Sequence, residues 1–324
     1  MHSRSSDATG SWGIDDPLSS VLLDLRLTGT FFCHSEFAAP WSLAIPERDF
    51  ASFHFVVSRP SWLQLLRGKP SAPIALEPGD LALVARSPRQ IFSSTPRRTG
   101  TALDALPARQ LADGVSSVHV GGRDAPWLVI CGGVRLGGFA ATMLVDLLPD
   151  VVVLRAASAG PVVAHALEAM KQESRIARLG SATLMTRLAD VIVIQAIRSW
   201  IESAAPTGWL AGLRDPQIGR AMAQIHHHPD RAWSVAALAR TAGLSRSRFS
   251  ERFTALAGFA PMQYVTTVQM HRAAEMLQHE RLTVAELATR FGYESEPAFA
   301  RAFKRHVGTP PGAVRRAAVA PSAR

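Results

Sequence analysis

A short helical unit occurs twice between Trp233 and Arg316, and this repeat constrains the fold more than any other feature. In the first copy Leu238-Ala239 is followed by Ala242-Gly243-Leu244-Ser245, then Phe249, Phe253, Gly258 and Pro261. In the second, Leu287-Ala288 is followed by Phe291-Gly292-Tyr293-Glu294-Ser295, then Phe299, Phe303, Gly308 and Pro311. The copies are offset by 49 residues before the turn and 50 after it, so the second turn carries one extra residue.

The spacing within a copy has a physical reading. Val235, Leu238, Ala239 and Ala242 recur at i, i+3, i+4 and i+7, one face of a helix, with Ser234 placed as its N-cap. Thr283 and Glu286 form a T-x-x-E capping box ahead of Leu287. Gly243 and Gly292 stand where that helix must stop and the chain must turn sharply. Ser245 and Ser295 then cap a second helix whose inward face is Phe249 and Phe253, or Phe299 and Phe303, four residues apart. Helix, tight turn and helix make a helix-turn-helix.

Outward of the phenylalanines lie Arg246, Ser247, Arg248, Ser250, Glu251 and Arg252 in one copy, and Glu296, Ala300, Arg301, Lys304 and Arg305 in the other. Arginine can bridge guanine O6 and N7 or hold phosphate, and Ser, Glu and Lys have base edges of their own to read. A solvated helix face is the plain alternative for one such helix, and a weaker one for two matched copies. Between them, Pro261 to His279 reads as one long helix with Met262, Val265, Val268, Gln269, Arg272, Ala273, Met276 and Leu277 on or beside one stripe. A helix of that length spans roughly 27 Å, of the order of the roughly 34 Å repeat of DNA, so one chain can present both second helices to successive major grooves.

This stretch resembles the DNA-binding domain of the AraC/XylS family of bacterial transcription regulators. The signature runs from Arg272 through Leu287-Ala288, Gly292-Tyr293, Phe299, Phe303, Gly308 and Pro310-Pro311, within a reader spanning 216–316. The resemblance implies base contacts from Ser247, Ser250 and Glu251 in the first copy and from Glu296, Ala300 and Arg301 in the second. Ser247, Ser250 and Ala300 are small, so Arg246, Arg248 and Arg252, with Lys304 and Arg305, are assigned chiefly to phosphates.

Charge agrees with that reading. The 324-residue chain has a formal net charge of +9, and residues 215–324 hold 15 Lys/Arg against 8 Asp/Glu. The basic excess sits with the repeat, as binding to a polyanion requires. With 47% hydrophobic and 19% charged residues, the chain is expected to be a globular protein of two domains, α+β overall. Two cysteines exclude a disulfide-rich secreted scaffold. The polar Met1–Ser11 segment lacks a signal-peptide core, and apolar runs fall short of the ~20 residues a spanning helix needs, so a bacterial cytoplasmic protein that does not enter a membrane is expected.

Residues 1–16 read as a disordered tail. From 17 to 155, short apolar runs are cut by Gly, Pro and Ser: Val21–Leu27, Phe31–Cys33, Trp41–Ile45, Ser52–Val57, Trp62–Leu66, Leu81–Val84, Trp127–Ile130 and Val151–Leu154. This is the pattern of a β-barrel or sandwich. The turn Glu77-Pro78-Gly79-Asp80 ahead of Leu81–Val84 resembles a cupin barrel, and the stretch is similar to the cupin-type sensor that precedes the reader in one branch of the family. A cupin-type metalloenzyme with an accessory helical domain is the rival reading; its candidate ligands are His34, Glu36, His54 and His119, while the position where cupins often place a ligand histidine holds Gln90. No metal, cofactor or catalytic residue is assigned. Cys33 and Cys131 fall on two expected strands, as buried small hydrophobes or as a redox-sensing thiol pair.

Ala156 to Pro161 reads as a linker, followed by helical patterns at Val162–Glu173 and Ser181–Ser203 within a connector at 161–205. The second is broadly apolar through Leu184, Leu188, Val191, Ile192, Ile194, Ile197 and Ile201, and must be covered by the barrel or by a second subunit. By resemblance the region dimerises. His226-His227-His228 point about 100° apart on a helix end and do not form one ion site. Residues 317–324 read as a tail. The expected function is a sequence-specific transcription regulator, more often an activator in the family. Its expected partners are duplex operator DNA, RNA polymerase, a second copy of the chain and a small effector that the residues do not identify; a non-specific architectural DNA binder is the third reading.

Overall fold

The computed structural model describes positions 18, 19, 22 and 26–319, apart from 69–70, 97–98, 122–126, 138–143, 146, 177, 204–208 and 281, with the backbone alone at 26–30 and 317–319. The chain divides into two compact units, one built on residues 25–205 and one on 206–324. The expected tail at 1–16 lies outside the described residues.

The first unit is a β-structure of two sheets. Its strands are β1 (Arg26–Phe37), β2 (Ser42–Ile45), β3 (Ala51–Val56), β4 (Ser61–Leu65), β5 (Ile74–Leu76), β6 (Leu81–Val84), β7 (Gln90–Ser93), β8 (Thr101–Ala102), β9 (Ala108–Ala112), β10 (Val115–Val120), β11 (Trp127–Gly137) and β12 (Val151–Leu154). One sheet runs β12-β6-β3-β11-β1-β10-β9 and the other β5-β4-β7-β2-β8. Phe37, Val56, Val84 and Val129 from the first meet Leu43, Leu63 and Phe92 from the second, so the core lies between the sheets. The Glu77–Asp80 turn enters β6 as expected, and the buried Asp80 carboxylate accepts from Glu77 N and Ala156 N at 2.9 Å and from Arg155 Nη1 at 2.7 Å.

Two differences from the sequence reading stand out. Within the run expected as strand at 21–27, Leu22 is helical and β1 begins only at Arg26. Strands β5, β7, β8, β9 and β10 were not marked by apolar runs. In β7 (Gln90–Ser93) all four residues are buried although two are polar, because a hydrogen-bonded network fills that part of the interior. Ser87 Oγ donates to Ser52 Oγ at 2.7 Å, Gln90 Nε2 donates to the same Ser52 Oγ at 3.1 Å, and Gln90 Oε1 lies 3.1 Å from His54 Nε2. The other ring nitrogen of His54 is 3.2 Å from Cys131 Sγ.

After β12 come α1 (Gly160–Ile176) and α2 (Ser181–Ser203), which pack on each other and on β1. Met185, Ala189, Ile192, Val193, Ala196 and Ile197 form the buried face of α2, while Leu184 and Val191, seven residues apart, stand exposed. No helix among the described residues is long and apolar enough to cross a membrane.

The second unit is all-helical: α3 (Trp209–Arg214), α4 (Pro216–His227), α5 (Val235–Ala242), α6 (Arg246–Ala257), α7 (Pro261–His279), α8 (Val284–Arg290), α9 (Glu296–Val307) and α10 (Pro311–Val319). The segment before Pro216 holds the helix α3, and the last helix runs three residues past the expected end at 316.

Burial lowers the pKa of His54 to about 4. At pH above its ordinary value of 6.5 the ring is neutral in both folded and unfolded chains, and it adds no pH dependence. Below 6.5 the unfolded chain takes the proton and the folded one does not, so stability is lost as pH falls toward 4. The expected loss is about 3 kcal/mol. Denaturant titration of the first unit at pH 7 and pH 4.5 should show it, and His54→Gln should flatten most of that slope.

Candidate nucleic-acid interface

The two reader helices are α6 and α9, and their geometry is set by local chemistry repeated in each copy. Ser234 caps α5 by accepting from Ala237 N at 3.2 Å, and Gly243 ends it in the left-handed region at φ 68°. No atom lies within 4 Å of where a Cβ would sit at Gly243 or Gly292, so the dihedral and not space selects glycine there. Gly292 has φ 75°. In the second copy Thr283 and Glu286 complete the capping box: Thr283 N donates to Glu286 Oε2 at 2.7 Å and Glu286 N donates to Thr283 Oγ1 at 3.2 Å. Ser245 and Ser295 cap α6 and α9.

Phe249 and Phe253 are fully buried under α6, and Phe299 and Phe303 under α9, with ring centroids 5.5 and 5.7 Å apart within each pair. The opposite faces are therefore turned outward. Arg246, Ser247, Arg248 and Glu251 are exposed and Ser250 half-buried on α6; Glu296, Arg301, Lys304 and Arg305 are exposed and Ala300 half-buried on α9. These are the positions expected from the sequence.

Among the described residues, Arg252 differs from the other arginines of α6 in having an ion-pair partner within the protein. Its Nε donates to Asp215 Oδ2 at 3.0 Å, while the other oxygen of that carboxylate accepts from Gln217 N at 3.0 Å and Ile218 N at 2.9 Å as the N-cap of α4. The ordinary desolvation of the part-buried Asp215 is outweighed by these backbone donors and by Arg252, which together hold its pKa below the usual value. The Arg252 guanidinium thus ties α6 to α4, while its side chain remains 38% exposed.

The linker helix α7 joins the copies. Its first half packs Tyr264 against Phe253, centroids 5.6 Å apart, and Tyr264 shares a 2.8 Å hydrogen bond with buried His226. Its second half places Met270, Ala273, Ala274, Met276 and Leu277 in one core with Leu287, Phe299 and Phe303. Three polar contacts add to this: Arg290 Nη2 to Asp230 Oδ2 at 3.0 Å, Gln269 Nε2 to Arg231 O at 3.2 Å, and Thr267 Oγ1 with His306 Nδ1 at 3.0 Å. The first of these ties the second copy to the loop ahead of the first, a contact that the repeat alone does not reveal because its partners are 60 residues apart.

Comparison with known proteins places this geometry. A cupin family model matches residues 16–202, and a helix-turn-helix domain model matches residues 238–317. A putative AraC-like transcription regulator of Streptomyces lividans is 32% identical over 304 residues, 93% of this chain and 98% of the relative. The chain belongs to the AraC family of transcription regulators. It is a DNA-binding regulator with a cupin domain, similar over nearly its whole length to proteins named as regulators and not as enzymes. The RCS-specific transcriptional activator RclR of Escherichia coli K12 is 31% identical over 191 residues, 58% of this chain and 67% of that one. Among solved structures, the DNA-binding domain of AdpA in complex with a target DNA shares 34% identity over 32% of this chain and 92% of that chain, with a TM-score of 0.30.

In the cupin unit, the four residues considered as metal ligands do not converge. His54 faces inward, with both ring nitrogens engaged by Gln90 and Cys131. His34, Glu36 and His119 lie on the other face of the sheet. Cys33 and Cys131 are directly opposed in the β1–β11 register, both as partly buried free thiols. Burial, then the neighbouring Cys33, pushes the Cys131 thiol well above its ordinary pKa. A pocket of about 370 Å³ lies against the paired strands β2 and β7 and the 99–104 segment, walled by Ala44, Ile45, Leu66 and Ile91 with Arg89 and Asp104 at its polar side.

Replacing Asp215 with Ala should remove the cap of α4, costing about 1–2 kcal/mol in the stability of the reader unit. Thermal melts would read it, and Arg252→Ala should leave the salt dependence of DNA binding unchanged if that guanidinium makes no phosphate contact.

Proposed function

We propose that this regulator reads two successive major grooves on one face of duplex DNA, with α6 and α9 as the two reading helices. The observation that carries this is the shared linker helix. Both readers are packed on α7, whose 19 residues correspond to about 28 Å, so they are held at one separation near a helical turn of DNA. Ser247, Ser250 and Glu251 on α6 and Glu296, Ala300 and Arg301 on α9 are the base-reading set. Arg246, Arg248, Lys304 and Arg305 hold phosphates. The small side chains on α6 make α9, through Arg301, the more discriminating reader.

The cupin unit is the input. A small effector in the cavity beside Arg89, or a change in the Cys33 and Cys131 thiols, alters how the readers of two subunits reach their sites together, a coupling between sites. The thiol reading is favoured by the direct opposition of the two cysteines. The exposed Leu184 and Val191 on α2 form the contact with a second subunit. The protein acts in the cytoplasm, as an activator that contacts RNA polymerase.

Two substitutions test the reading. Arg301→Ala should cost about 1–3 kcal/mol on the selected operator and relax preference at one base position, whereas Arg305→Ala should weaken all duplexes alike. Equal losses on operator and random DNA for Arg301→Ala would remove it from the base-reading set.

A further inference from the structure

On β1, Cys33 and Phe37 turn toward the core between the sheets. His34 and Glu36, at the alternate positions, therefore turn to the outer face, where α1 covers His34 and leaves Glu36 partly open. The parallel neighbour β10 sets His119 directly opposite Glu36. One carboxylate thus stands between two imidazoles: His34 Nε2 is 3.3 Å from Glu36 Oε1, and His119 Nδ1 is 3.2 Å from Glu36 Oε2.

The partners of the other ring nitrogens show which atoms carry the hydrogens. Ser174 Oγ gives its own hydrogen to Lys171 O at 2.9 Å, so at the 2.9 Å contact with His34 it accepts, and His34 Nδ1 carries the N–H. His119 Nε2 lies 3.2 Å from the carbonyl oxygen of Gly121, which can only accept, so that nitrogen carries the other N–H. In the neutral rings, His34 Nε2 and His119 Nδ1 then aim lone pairs at the oxygens of a carboxylate. Lone pair against anion at 3.2–3.3 Å is unfavourable; a proton taken up by each ring relieves it, and so does one metal ion shared by the three groups.

We propose that His34 Nε2, His119 Nδ1 and the Glu36 carboxylate bind a late first-row divalent cation such as Zn²⁺ on the outer face of the cupin sheet. Two imidazoles and one carboxylate suit such ions, and not the all-oxygen preference of Ca²⁺ or Mg²⁺. Bond lengths of about 2.1 Å at a tetrahedral centre put neighbouring donor atoms about 3.4 Å apart, close to the spacing seen here. Committed N–H groups on the far side of each ligand ring are the usual means of orienting it. Among the described residues no three such donors already surround one point; here each nitrogen addresses a different oxygen of Glu36. Closure takes a rotation of that carboxylate and of His119, whose side chains are 35% and 53% exposed. The same exposure gives the ion its entry path and leaves its fourth position to water. Arg175 is the cation that acts on His34 from α1, and Glu36 offsets it.

The site differs from a ligand set inside a cupin barrel, where this chain carries His54 and Gln90 already bonded to each other. It also links the sheet to α1 through Ser174, so an ion held there stiffens the docking of α1 on β1.

Chelator-treated full-length protein titrated with Zn²⁺ by calorimetry, and with Co²⁺ by its visible absorption, tests the proposal. One ion per chain is expected at this site. His119→Ala and Glu36→Gln, both at solvent-open positions, should weaken binding at least about tenfold, and Ser174→Ala about tenfold through loss of the ring's orientation. His54→Gln and His227→Ala should leave the affinity unchanged. Failure of the intact protein to bind either ion, unchanged affinity in His119→Ala, or loss of binding in His54→Gln or His227→Ala would each overturn it.

Discussion

The reader unit depends on one shared wall, the buried face of the linker helix α7. Tyr264 serves the first helix-turn-helix through Phe253, and Met270, Ala273 and Leu277 serve the second through Phe299 and Phe303. Because one rigid element belongs to both cores, neither reader can turn independently without opening a core. Close-packed interiors resist such continuous deformation. The Asp230–Arg290 pair and the two side-chain bonds to Gln269 and Thr267 fix what packing leaves free.

Most of that unit is legible from residues alone, since its determinants are local. A cap three residues from its donor, a glycine at positive φ and two phenylalanines four apart are all within one turn or two of each other. The linker helix is readable for the same reason, from Pro261 at its start to His279 at its end. What escaped notice was long-range. Nothing near Arg252 signals Asp215, 37 residues earlier, so its charge reads as free until the fold brings the carboxylate to it.

The cupin unit is less legible, and the causes are particular. Strand β7 hides because Gln90 and Ser93 are polar yet buried, Gln90 bonding to Ser52 and His54 on β3 and Ser93 Oγ donating to the nearby Thr95 carbonyl. Strand β9 hides because Ala108, Arg109 and Gln110 are exposed at the sheet edge, with no core face to declare. The four candidate ligands are similarly inseparable by sequence: His34, Glu36 and His54 sit on or beside expected strands, and His119 on the unmarked β10. Only the register shows that His54 turns into the polar interior network while the other three meet outside.

Selection of bound duplexes from a random pool by the full-length protein tests the central claim most directly, that both readers are locked to one separation by α7. The account predicts that the winners carry two short motifs about one helical turn, 10–10.5 bp, apart, at a fixed spacing, and bind roughly 10³-fold or more tighter than scrambled DNA. Motifs at variable spacing, or a single motif or none, would contradict it.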